Sequence, residues 1–320
     1  MQRFGIIGLG NISHRHRKNL RLLYPKSEII ALSARGNTIT QLPENTDRVV
    51  EKIEELIQLR PRFVIVASPA SLHIPHALSI VKAGIPCLIE KPLSITYSEA
   101  KPLIQLSHAT NTPIAIGYCL RYMPAAKKMK ELINHKTLGE IYNINIEVGQ
   151  YLPDWRHNID YRDSVSAQKE LGGGVLLELS HELDYAQWLF GSLYVEHAAL
   201  RSSKELSLDV EDLADIVFST ESGAKVNTHL DFLQHLPQRY CTVKGSNGRI
   251  HWDLLTNKVD VFLKHHQHQC FKFIDWQAND MYIDLIKDFE NLCLGKEHNT
   301  VDLAQAANTL KLIDIIKKST

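Results

Sequence analysis

The stretch "RFGIIGLGNIS", residues 3–13, decides the fold. A short apolar run leads into glycines and then into "HRHRKNLRLLY", which can form a helix. Gly8, Gly10 and Ser13 occupy the G-x-G-x-x-G/A positions. There the first glycine permits a tight turn, the second lets the backbone approach a pyrophosphate, and the third residue must be small. A strand, a glycine turn and a helix in this order predict a dinucleotide-binding unit at the start of the chain.

The first third of the chain continues to alternate strands and helices. Four more apolar runs follow: "SEIIALSA", "RFVIVAS", "PCLIEKP" and "PIAIGY". Continuous apolar strands separated by helices predict a parallel sheet covered on both faces. Between them, "TDRVVEKIEELIQL" carries Val49, Ile53, Leu56 and Ile57 on one side, which predicts an amphipathic helix.

After about Pro124 the rhythm changes to longer, alternating strands. They predict a mostly antiparallel sheet with one covered face, followed by a helical region over 281–316. We therefore expect an α/β protein: a Rossmann-type parallel sheet over residues 1–120, and an α+β domain with a large open sheet over 121–320. The last helices are expected to pack back on the first domain.

Composition excludes several function classes. Lys plus Arg and Asp plus Glu are equal at 36 each, so net charge gives no support for nucleic acid or an anionic membrane as partner. No apolar run is long enough to span a bilayer, no signal peptide is evident, and the five cysteines are scattered, which together predict a cytoplasmic protein with reduced thiols. The run "KHHQHQ" (264–269) lacks partner ligands and favours a polar turn or strand edge over a metal site.

The glycine turn also predicts contacts with the cofactor. Asn11 and Ile12 follow Gly10 and are expected beside the pyrophosphate. The basic run of residues 14–18, "HRHRK", has two readings that the sequence leaves open: added attraction for phosphates, or a solvated helix face.

The end of the second apolar run indicates which nicotinamide cofactor is bound. An NAD site usually places an acid there for the ribose 2′-OH. Glu28 precedes the run and so belongs to its wrong end, and no acid occurs between residues 31 and 43. Ser33 and Arg35 stand there instead, and both suit a 2′-phosphate. We predict a preference for NADP(H), with NAD possible; alternatively, Arg35 is a solvated loop residue.

Two further strand ends carry polar residues. Ser68 and Pro69 end the third apolar run, with His73 close behind, and Glu90 and Lys91 end the fourth. Because ligands bind outside the carboxyl ends of parallel strands, we expect all five to border the cofactor, near its nicotinamide half.

Four ordered motifs resemble a known family: "GIIGLGNIS", "VIVASPASLHIPHALSIVKAGIPCLIEKPLS", "GYCLRYMPAAKKMKELI" and "GGGVLLELSHELDYAQWLFG". Their order and spacing are similar to those of the Gfo/Idh/MocA oxidoreductases, over essentially the whole chain. The resemblance implies NAD(P) bound by the N-terminal domain and a sugar or cyclitol bound over the second sheet. It also implies a homodimer or homotetramer formed through that sheet.

The resemblance further implies a catalytic pair. Lys91, in "EKP", matches the catalytic lysine, and an ammonium group beside the reacting oxygen stabilises its negative charge. His181 matches the catalytic histidine, which relays a proton. Most members have an Asp four residues before the His, whereas here Glu178 stands three before it. Glu178 is the expected partner by position, with Glu182 and Asp184 as alternatives by proximity.

The polar loop before the glycines completes the expected site. Trp155 and Arg156 resemble a family feature that reaches nicotinamide and substrate. Tyr161 in this loop and Arg121, just after the fifth apolar run, supply donors that hydroxyl-rich or anionic ligands need. Asp184 resembles a further acidic position of the family and is expected at the substrate, either as a structural or as a catalytic residue. Each could instead serve an interdomain salt bridge.

These residues predict an NADP(H)-dependent oxidoreductase. It would transfer a hydride between nicotinamide and a secondary alcohol or ketone of a sugar, cyclitol or sugar derivative. The loop arginines favour a phosphorylated or nucleotide-linked substrate. The alternatives are a non-catalytic dinucleotide-binding sensor or scaffold, and a reductase of a non-sugar substrate.

Overall fold

The computed structural model describes residues 1–155 and 160–320. The chain divides into two compact units. The first comprises Met1–Cys119 and Asn279–Leu310, and the second comprises Leu120–Ala278 and Lys311–Thr320.

The strands and helices follow one another along the chain. The first unit contains β1 Arg3–Ile7, α1 Asn11–Leu23, β2 Glu28–Leu32, β3 Arg48–Val50, α2 Ile53–Gln58, β4 Phe63–Val66, α3 His73–Lys82, β5 Cys87–Ile89, α4 Tyr97–Ala109 and β6 Ile114–Ile116. The second contains α5 Pro124–Asn134, β7 Ile141–Gly149, α6 Val175–Glu178, α7 Ser180–Phe190, β8 Leu193–Arg201, β9 Leu213–Thr220, β10 Lys225–Asp231, β11 Gln238–Gly245, β12 Gly248–Asp253, β13 Lys258–Leu263 and β14 Gln269–Lys272. The chain ends with α8 Asp280–Cys293 and α9 Leu303–Lys318.

The first sheet is parallel, with strand order β3-β2-β1-β4-β5-β6. The order reverses between β1 and β4. In open parallel sheets the ligand crevice lies outside the carboxyl ends of the strands at such a reversal. The topology therefore points to the segments after β1 and β4 as the cofactor site of this unit.

Aromatic side chains fill the core at the opposite, amino end of this sheet. The Phe4 ring lies 4.5 Å from that of Tyr24 and 4.7 Å from that of Phe63. Phe63 meets Phe289 of α8 edge to face at 5.3 Å. Phe4, Phe63 and Phe289 are fully buried, so α8 belongs to the hydrophobic core of the Rossmann-type unit.

One expected helix is partly a strand. Residues 48–50 form β3, which pairs in parallel with β2, and the helix is confined to Ile53–Gln58. Val49 therefore lies on an edge strand and not on the helix that the spacing predicts. The β-branched pair Val49–Val50 fits a strand, and pairing with β2 outweighs the local helical pattern.

The second sheet has eight strands in the order β14-β13-β12-β11-β7-β10-β9-β8. All neighbouring pairs are antiparallel except β7 and β10. Along β7, Ile144, Ile146 and Val148 are buried, whereas Asn145 and Glu147 on the other face are half-exposed. The expected mostly antiparallel open sheet is confirmed; the edge strand β14 is an addition that the sequence reading did not contain.

Over the described parts of the chain, no helix has both the length and the apolar character required to cross a membrane.

Candidate active site

The turn after β1 admits only glycine at its first position. Gly8 has φ +119°, in the region that favours glycine, and its N–H donates to the Leu32 carbonyl at 2.9 Å. A Cβ at Gly8 would lie 2.3 Å from the Ala67 carbonyl oxygen. The glycine thus lets the ends of β1 and β4 approach each other at the reversal point of the sheet.

The second glycine opens the N-terminus of α1. Gly10 is the N-cap residue with an ordinary φ of −74°, and a Cβ there would meet nothing within 4 Å. Gly10 and Asn11 are exposed, Ile12 is half-buried, and the Ser13 hydroxyl donates to the Gly10 carbonyl at 2.8 Å. The first amides of a helix are free to donate, so this open turn fits a pyrophosphate.

The basic run on α1 is divided between buried and exposed side chains. His16 and Arg17 are buried. The run makes individual contacts inside the unit: Arg15 over the Tyr282 ring at 4.5 Å, His16 Nε2 to Glu90 Oε1 at 2.6 Å, and Arg17 Nε donating to the Glu44 carbonyl at 3.0 Å. Burial lowers the pKa of Arg17. His16 and Arg17 are therefore part of the packing of α1, whereas Arg15 and Lys18 are exposed, and attraction of the run for phosphates stays a prediction.

The acid at the start of β2 lies away from the cofactor end. Glu28 is buried and bridges two guanidinium groups, Arg3 at 2.8 Å and Arg48 at 2.9 Å. Ser33 follows the other end of β2 and accepts from the Asn37 amide at 3.1 Å, and Arg35 is exposed two residues later. The carboxyl end of β2 thus offers a hydroxyl and a guanidinium, and the NADP(H) preference stays a prediction.

His73 links the segments that follow β4 and β5. Its ring is almost completely buried, with Nε2 2.8 Å from the Ser68 carbonyl and Nδ1 2.8 Å from the Pro92 carbonyl. Burial lowers the pKa of His73, and the two carbonyl contacts oppose that effect. Ser68 is also buried, while Pro69 is half-buried. Contact of His73 with the cofactor stays a prediction, because the buried ring joins main-chain segments.

Lys91 lies just beyond the carboxyl end of β5 and is half-buried. Its main-chain N–H donates to Glu90 Oε2 at 3.3 Å, and the Lys91–Pro92 peptide is cis. The Glu90 side chain is turned inward and only 8% exposed. Of Glu90 and Lys91, which are both expected at the cofactor, Lys91 is therefore the more accessible one.

The glycines before His181 allow close packing in the second unit. Gly174 has φ +100°, and a Cβ there would lie 2.5 Å from the Glu211 carboxylate; a Cβ at Gly173 would lie 2.7 Å from the Ser166 carbonyl. The single helix expected after them is interrupted at Leu179, which separates α6 from α7. Glu178 ends α6, and His181 lies in the first turn of α7.

Two of the three carboxylates near His181 in the sequence are held by arginines. Asp184 accepts two hydrogen bonds from Arg121, at 2.7 and 2.9 Å, and both side chains are buried. Burial raises the pKa of Asp184, against the opposing effect of the Arg121 guanidinium. Glu182 is fully buried and accepts from Arg239 at 2.7 and 3.0 Å.

The third carboxylate has a different setting. Glu178 is half-buried and accepts from the Ser166 hydroxyl at 3.0 Å. His181 is 9% exposed. Glu182 and Asp184 are thus held in arginine pairs, and the support of His181 by Glu178 stays a prediction.

Arg121 forms an ion pair within its own unit and not between domains. It lies on the short 3₁₀ helix Cys119–Tyr122, and its guanidinium is 5.6 Å from the centre of the Trp188 ring. The ammonium of Lys130 donates to the Trp188 carbonyl. Burial, followed by the positive charge of Arg121, lowers the pKa of Lys130. Arg121 and Asp184 therefore occupy each other, and their expected contact with substrate stays a prediction.

The polar loop before the glycines is only partly described. Trp155 ends a 3₁₀ helix and packs edge-on against Phe232, with ring centres 5.4 Å apart. The Tyr161 hydroxyl donates to the Leu206 carbonyl at 3.1 Å, and Arg162 pairs with Asp160 at 2.6 Å. Arg156 lies outside the described residues.

The histidine-rich run contributes to a strand edge. His268 Nε2 lies 2.7 Å from Asp260 Oδ1, and its ring stacks on Phe262 at 4.4 Å. Within residues 1–155 and 160–320, no cluster of His, Cys, Asp and Glu is arranged to hold a metal ion.

Two residues that lie beside Glu90 were not predicted from the sequence: His16 on α1 and Gly117 just after β6. His16 was treated only as part of the basic run, and Gly117 was not considered. The spacing of Ser13, His16, Arg17 and Leu20, all buried on α1, is that of one helix face and could have marked His16 as inward. The approach of Gly117 to Glu90 depends on sheet pairing, which no local pattern reveals.

Comparison with known proteins agrees with this arrangement. Residues 2–118 match the model of an oxidoreductase family with an NAD-binding Rossmann fold, and residues 126–251 match the GFO/IDH/MocA C-terminal domain. Oxidoreductase P35 of Formosa agariphila is 24% identical over 276 residues, which cover 81% of this chain and 81% of that protein. Myo-inositol 2-dehydrogenase of Thermotoga maritima is 23% identical over 301 residues, 90% of this chain and 86% of that protein.

A solved structure supports the fold. Levoglucosan dehydrogenase in complex with NADH superposes with a TM-score of 0.86 at 18% identity, covering 99% of this chain and 96% of that one. Both family models match in the expected order, and together they cover the first sheet and strands β7 to β11 of the second. The chain therefore belongs to the Gfo/Idh/MocA family of oxidoreductases.

Proposed function

We propose that this protein is an NADP(H)-dependent oxidoreductase that interconverts a secondary alcohol and a ketone on a sugar, a cyclitol or a derivative of one. The single observation that carries the proposal is the position of Lys91. It is a half-buried amine directly after β5, on the same edge of the sheet as the Gly8–Gly10 turn. The nicotinamide cofactor supplies the hydride acceptor or donor.

Lys91 is the group proposed to stabilise the reacting oxygen. Oxidation of a secondary alcohol gives its oxygen alkoxide character, and reduction of the ketone develops the same charge. An ammonium group beside that oxygen lowers the energy of the charged transition state. A half-buried position reduces competition from water for this interaction.

His181 is proposed to move the proton, with Glu178 as the supporting carboxylate. The imidazole suits proton transfer near neutral pH. Glu182 and Asp184 are unsuited to the supporting role because each is held by an arginine, at 2.7 Å in both pairs. Family relatives named inositol 2-dehydrogenase and glucose-6-phosphate 3-dehydrogenase are consistent with chemistry at a ring hydroxyl.

The residues proposed to hold the cofactor line the carboxyl edge of the first sheet. Gly8, Gly10 and the start of α1 fit the pyrophosphate, and Ser33 with Arg35 fits a 2′-phosphate. Replacing Arg35 by Ala should weaken NADPH binding by about tenfold or more and leave NADH binding nearly unchanged, because only the 2′-phosphate loses a charged partner. Titration of both cofactors checks this; NADH binding as tight as NADPH to the unaltered protein would contradict the preference.

A neutral polyol is proposed as the substrate in preference to an anionic sugar. The loop arginines Arg156 and Arg162 were the basis for expecting a phosphate or nucleotide group, and Arg121 was expected to border the site. Arg121 is paired with Asp184, and Arg162 with Asp160. These two arginines therefore add little positive charge for an anionic ligand, and neutral sugars and cyclitols are the first class to test.

A substrate panel tests the proposal. Turnover of NADP⁺ or NADPH with neutral sugars, cyclitols, sugar phosphates and nucleotide sugars should identify at least one neutral polyol substrate. Tight cofactor binding without turnover on any of them would favour the alternative, a dinucleotide-binding sensor. Turnover only with non-sugar ketones or imines would leave the assignment as an oxidoreductase standing and would refute the proposed substrate class.

A further inference from the structure

The carboxylate of Glu90 is enclosed behind Lys91 in the first unit. Its side chain is 8% exposed, and Gly117, just after β6, leaves room for it: a Cβ there would lie 3.2 Å from the carboxylate carbon and from both oxygens. One oxygen accepts from the Lys91 main-chain N–H at 3.3 Å. A buried carboxylate is costly unless hydrogen-bonded, so its partners determine whether it can remain charged.

The second oxygen is met by His16. His16 Nε2 lies 2.6 Å from Glu90 Oε1, and the His16 side chain is fully buried. The other ring nitrogen, Nδ1, is buried and has no hydrogen-bond partner among the described residues. A doubly protonated ring would bury an unsatisfied N–H together with a charge, so the arrangement favours a neutral ring that donates from Nε2 to a charged carboxylate.

The surroundings hold His16 in this orientation. Tyr282 of α8 meets the His16 ring edge-on at 6.1 Å, and Arg15 covers the Tyr282 ring at 4.5 Å. Burial raises the pKa of Tyr282, so its hydroxyl stays neutral beside Cys119. The buried ring of His73 lies on another element within electrostatic reach of both Glu90 and Lys91. Among these neighbours, Glu90 is the anion next to Lys91 in the chain.

We propose that His16 is a positioning residue for Lys91. His16 holds the Glu90 carboxylate, and that carboxylate anchors the main chain of Lys91 by accepting from its N–H. The inference rests on the proposed function, since it assigns Lys91 the oxyanion. It links a residue of α1 to a residue 75 positions later through one hydrogen-bonded carboxylate.

Turnover of matched variants tests the link. His16→Leu removes the donor and should lower kcat about tenfold to a hundredfold with little change in cofactor affinity. His16→Gln keeps an N–H at a similar reach and should restore most of kcat. Glu90→Gln removes the charge and should resemble His16→Leu.

The same substitutions made in Lys91→Ala protein make this test specific to Lys91. In Lys91→Ala protein, neither His16→Leu nor Glu90→Gln should lower kcat further, because both act through the missing amine. Losses in that background as large as those in the unaltered protein would overturn the proposal. Thermal unfolding of each variant separates these effects from misfolding, and if His16→Leu does not fold, His16→Gln and Glu90→Gln decide.

Chemical labelling gives a readout that needs no substrate. Acetic anhydride acetylates accessible lysine amines, so the labelling of Lys91 relative to exposed Lys18 reports how the Lys91 amine is held. We expect this ratio to change about threefold or more in His16→Leu and Glu90→Gln, because each weakens the hydrogen-bonded carboxylate that anchors the main chain of Lys91, and to stay near the unaltered value in His16→Gln. An unchanged ratio in all variants would overturn the inference and leave the proposed function standing. A changed ratio without turnover of any polyol would refute the proposed function and would leave the link from His16 through Glu90 to Lys91 standing.

Discussion

At the scale of single residues, the two carboxylates Glu178 and Asp184 are expected to have separable tasks. Glu178 is proposed to act in proton transfer, whereas Asp184 is bound to Arg121 inside the second unit. Replacing Glu178 by Gln should lower kcat about tenfold to a thousandfold and, because Glu178 is half-buried, should cost less stability than the loss of a fully buried carboxylate.

Asp184→Asn is the matched control for that prediction. It should destabilise the protein by about 3 kcal/mol or more, since the buried Arg121 guanidinium loses its anion. Steady-state kinetics and urea unfolding of both variants measure the contrast. A Glu178→Gln enzyme with full kcat would contradict the assignment, and a collapse of kcat only in folded Asp184→Asn protein would transfer the role to Asp184.

The residue scale also shows where sequence reasoning reaches its limit. The placement of Glu28 at the wrong end of β2 for a ribose contact is confirmed, because position within an apolar run is a local property. The partners of His16 and Arg121 are 74 and 63 positions away in sequence, so no spacing rule could have supplied them. Basic and acidic residues whose pattern suggests a ligand site can equally well form ion pairs with one another.

At the scale of elements, the two glycines of the β1–α1 turn have different reasons to be glycine. Gly8→Ala should destabilise the fold by more than about 1 kcal/mol, because the residue combines φ +119° with a contact of 2.3 Å to the Ala67 carbonyl. Gly10→Ala should fold normally, since its Cβ would meet nothing within 4 Å, yet bind cofactor about tenfold or more weakly. Thermal unfolding and cofactor titration check the pair; a Gly10→Ala protein with full affinity would contradict the pyrophosphate site.

A second element-scale prediction concerns pH and the outer face of the second sheet. His229 of β10 lies 2.9 Å from Asp231 and 2.6 Å from Asp215 of β9. The hydrogen bond to Asp231, aided by that to Asp215 and opposed by burial, raises the pKa of His229 to about 9. A raised pKa in the folded state stabilises the protein fully below the unfolded value of about 6.5, and this stabilisation is lost as pH rises through about 9.

His229→Gln should therefore unfold at lower temperature than the unaltered protein at pH 6, and the difference should shrink towards pH 10. Melting curves at several pH values measure it. His251→Gln, on β12 of the same sheet, is a matched control for loss of a surface imidazole. A difference that stays constant with pH, or grows above pH 9, would show that the charge of His229 is not responsible.

Elements were predicted from sequence with uneven success, for a physical reason. Buried strands such as β1 and β4 are recognised by their continuous apolar residues. The edge strands β3 and β14 were not recognised. Each is short and pairs with a single neighbour, so the pairing itself, and not the local sequence, makes it a strand.

At the scale of the whole molecule, the outer face of the second sheet is proposed to join copies of the chain. The face carries a row of paired amides at its centre, in which Asn145 donates to Asn143 at 2.8 Å and Asn227 donates to Asn145 at 3.1 Å. Sedimentation should give a mass that is a multiple of 36.4 kDa. Asn227→Arg should lower that multiple without loss of folding, because like charges would meet across the face. A monomer at all concentrations would contradict the proposal.

The central claim concerns the whole molecule: that it oxidises a polyol with Lys91 as the group that stabilises the reacting oxygen and His181 as the proton carrier. The most direct measurement is the turnover of NADP⁺ with the best neutral polyol of the panel, by the unaltered protein and by its Lys91→Ala and His181→Ala variants. The account predicts turnover by the unaltered protein and a loss of about a hundredfold or more in each variant, with cofactor binding retained. Near-normal turnover in both variants, with the cofactor bound, would contradict it.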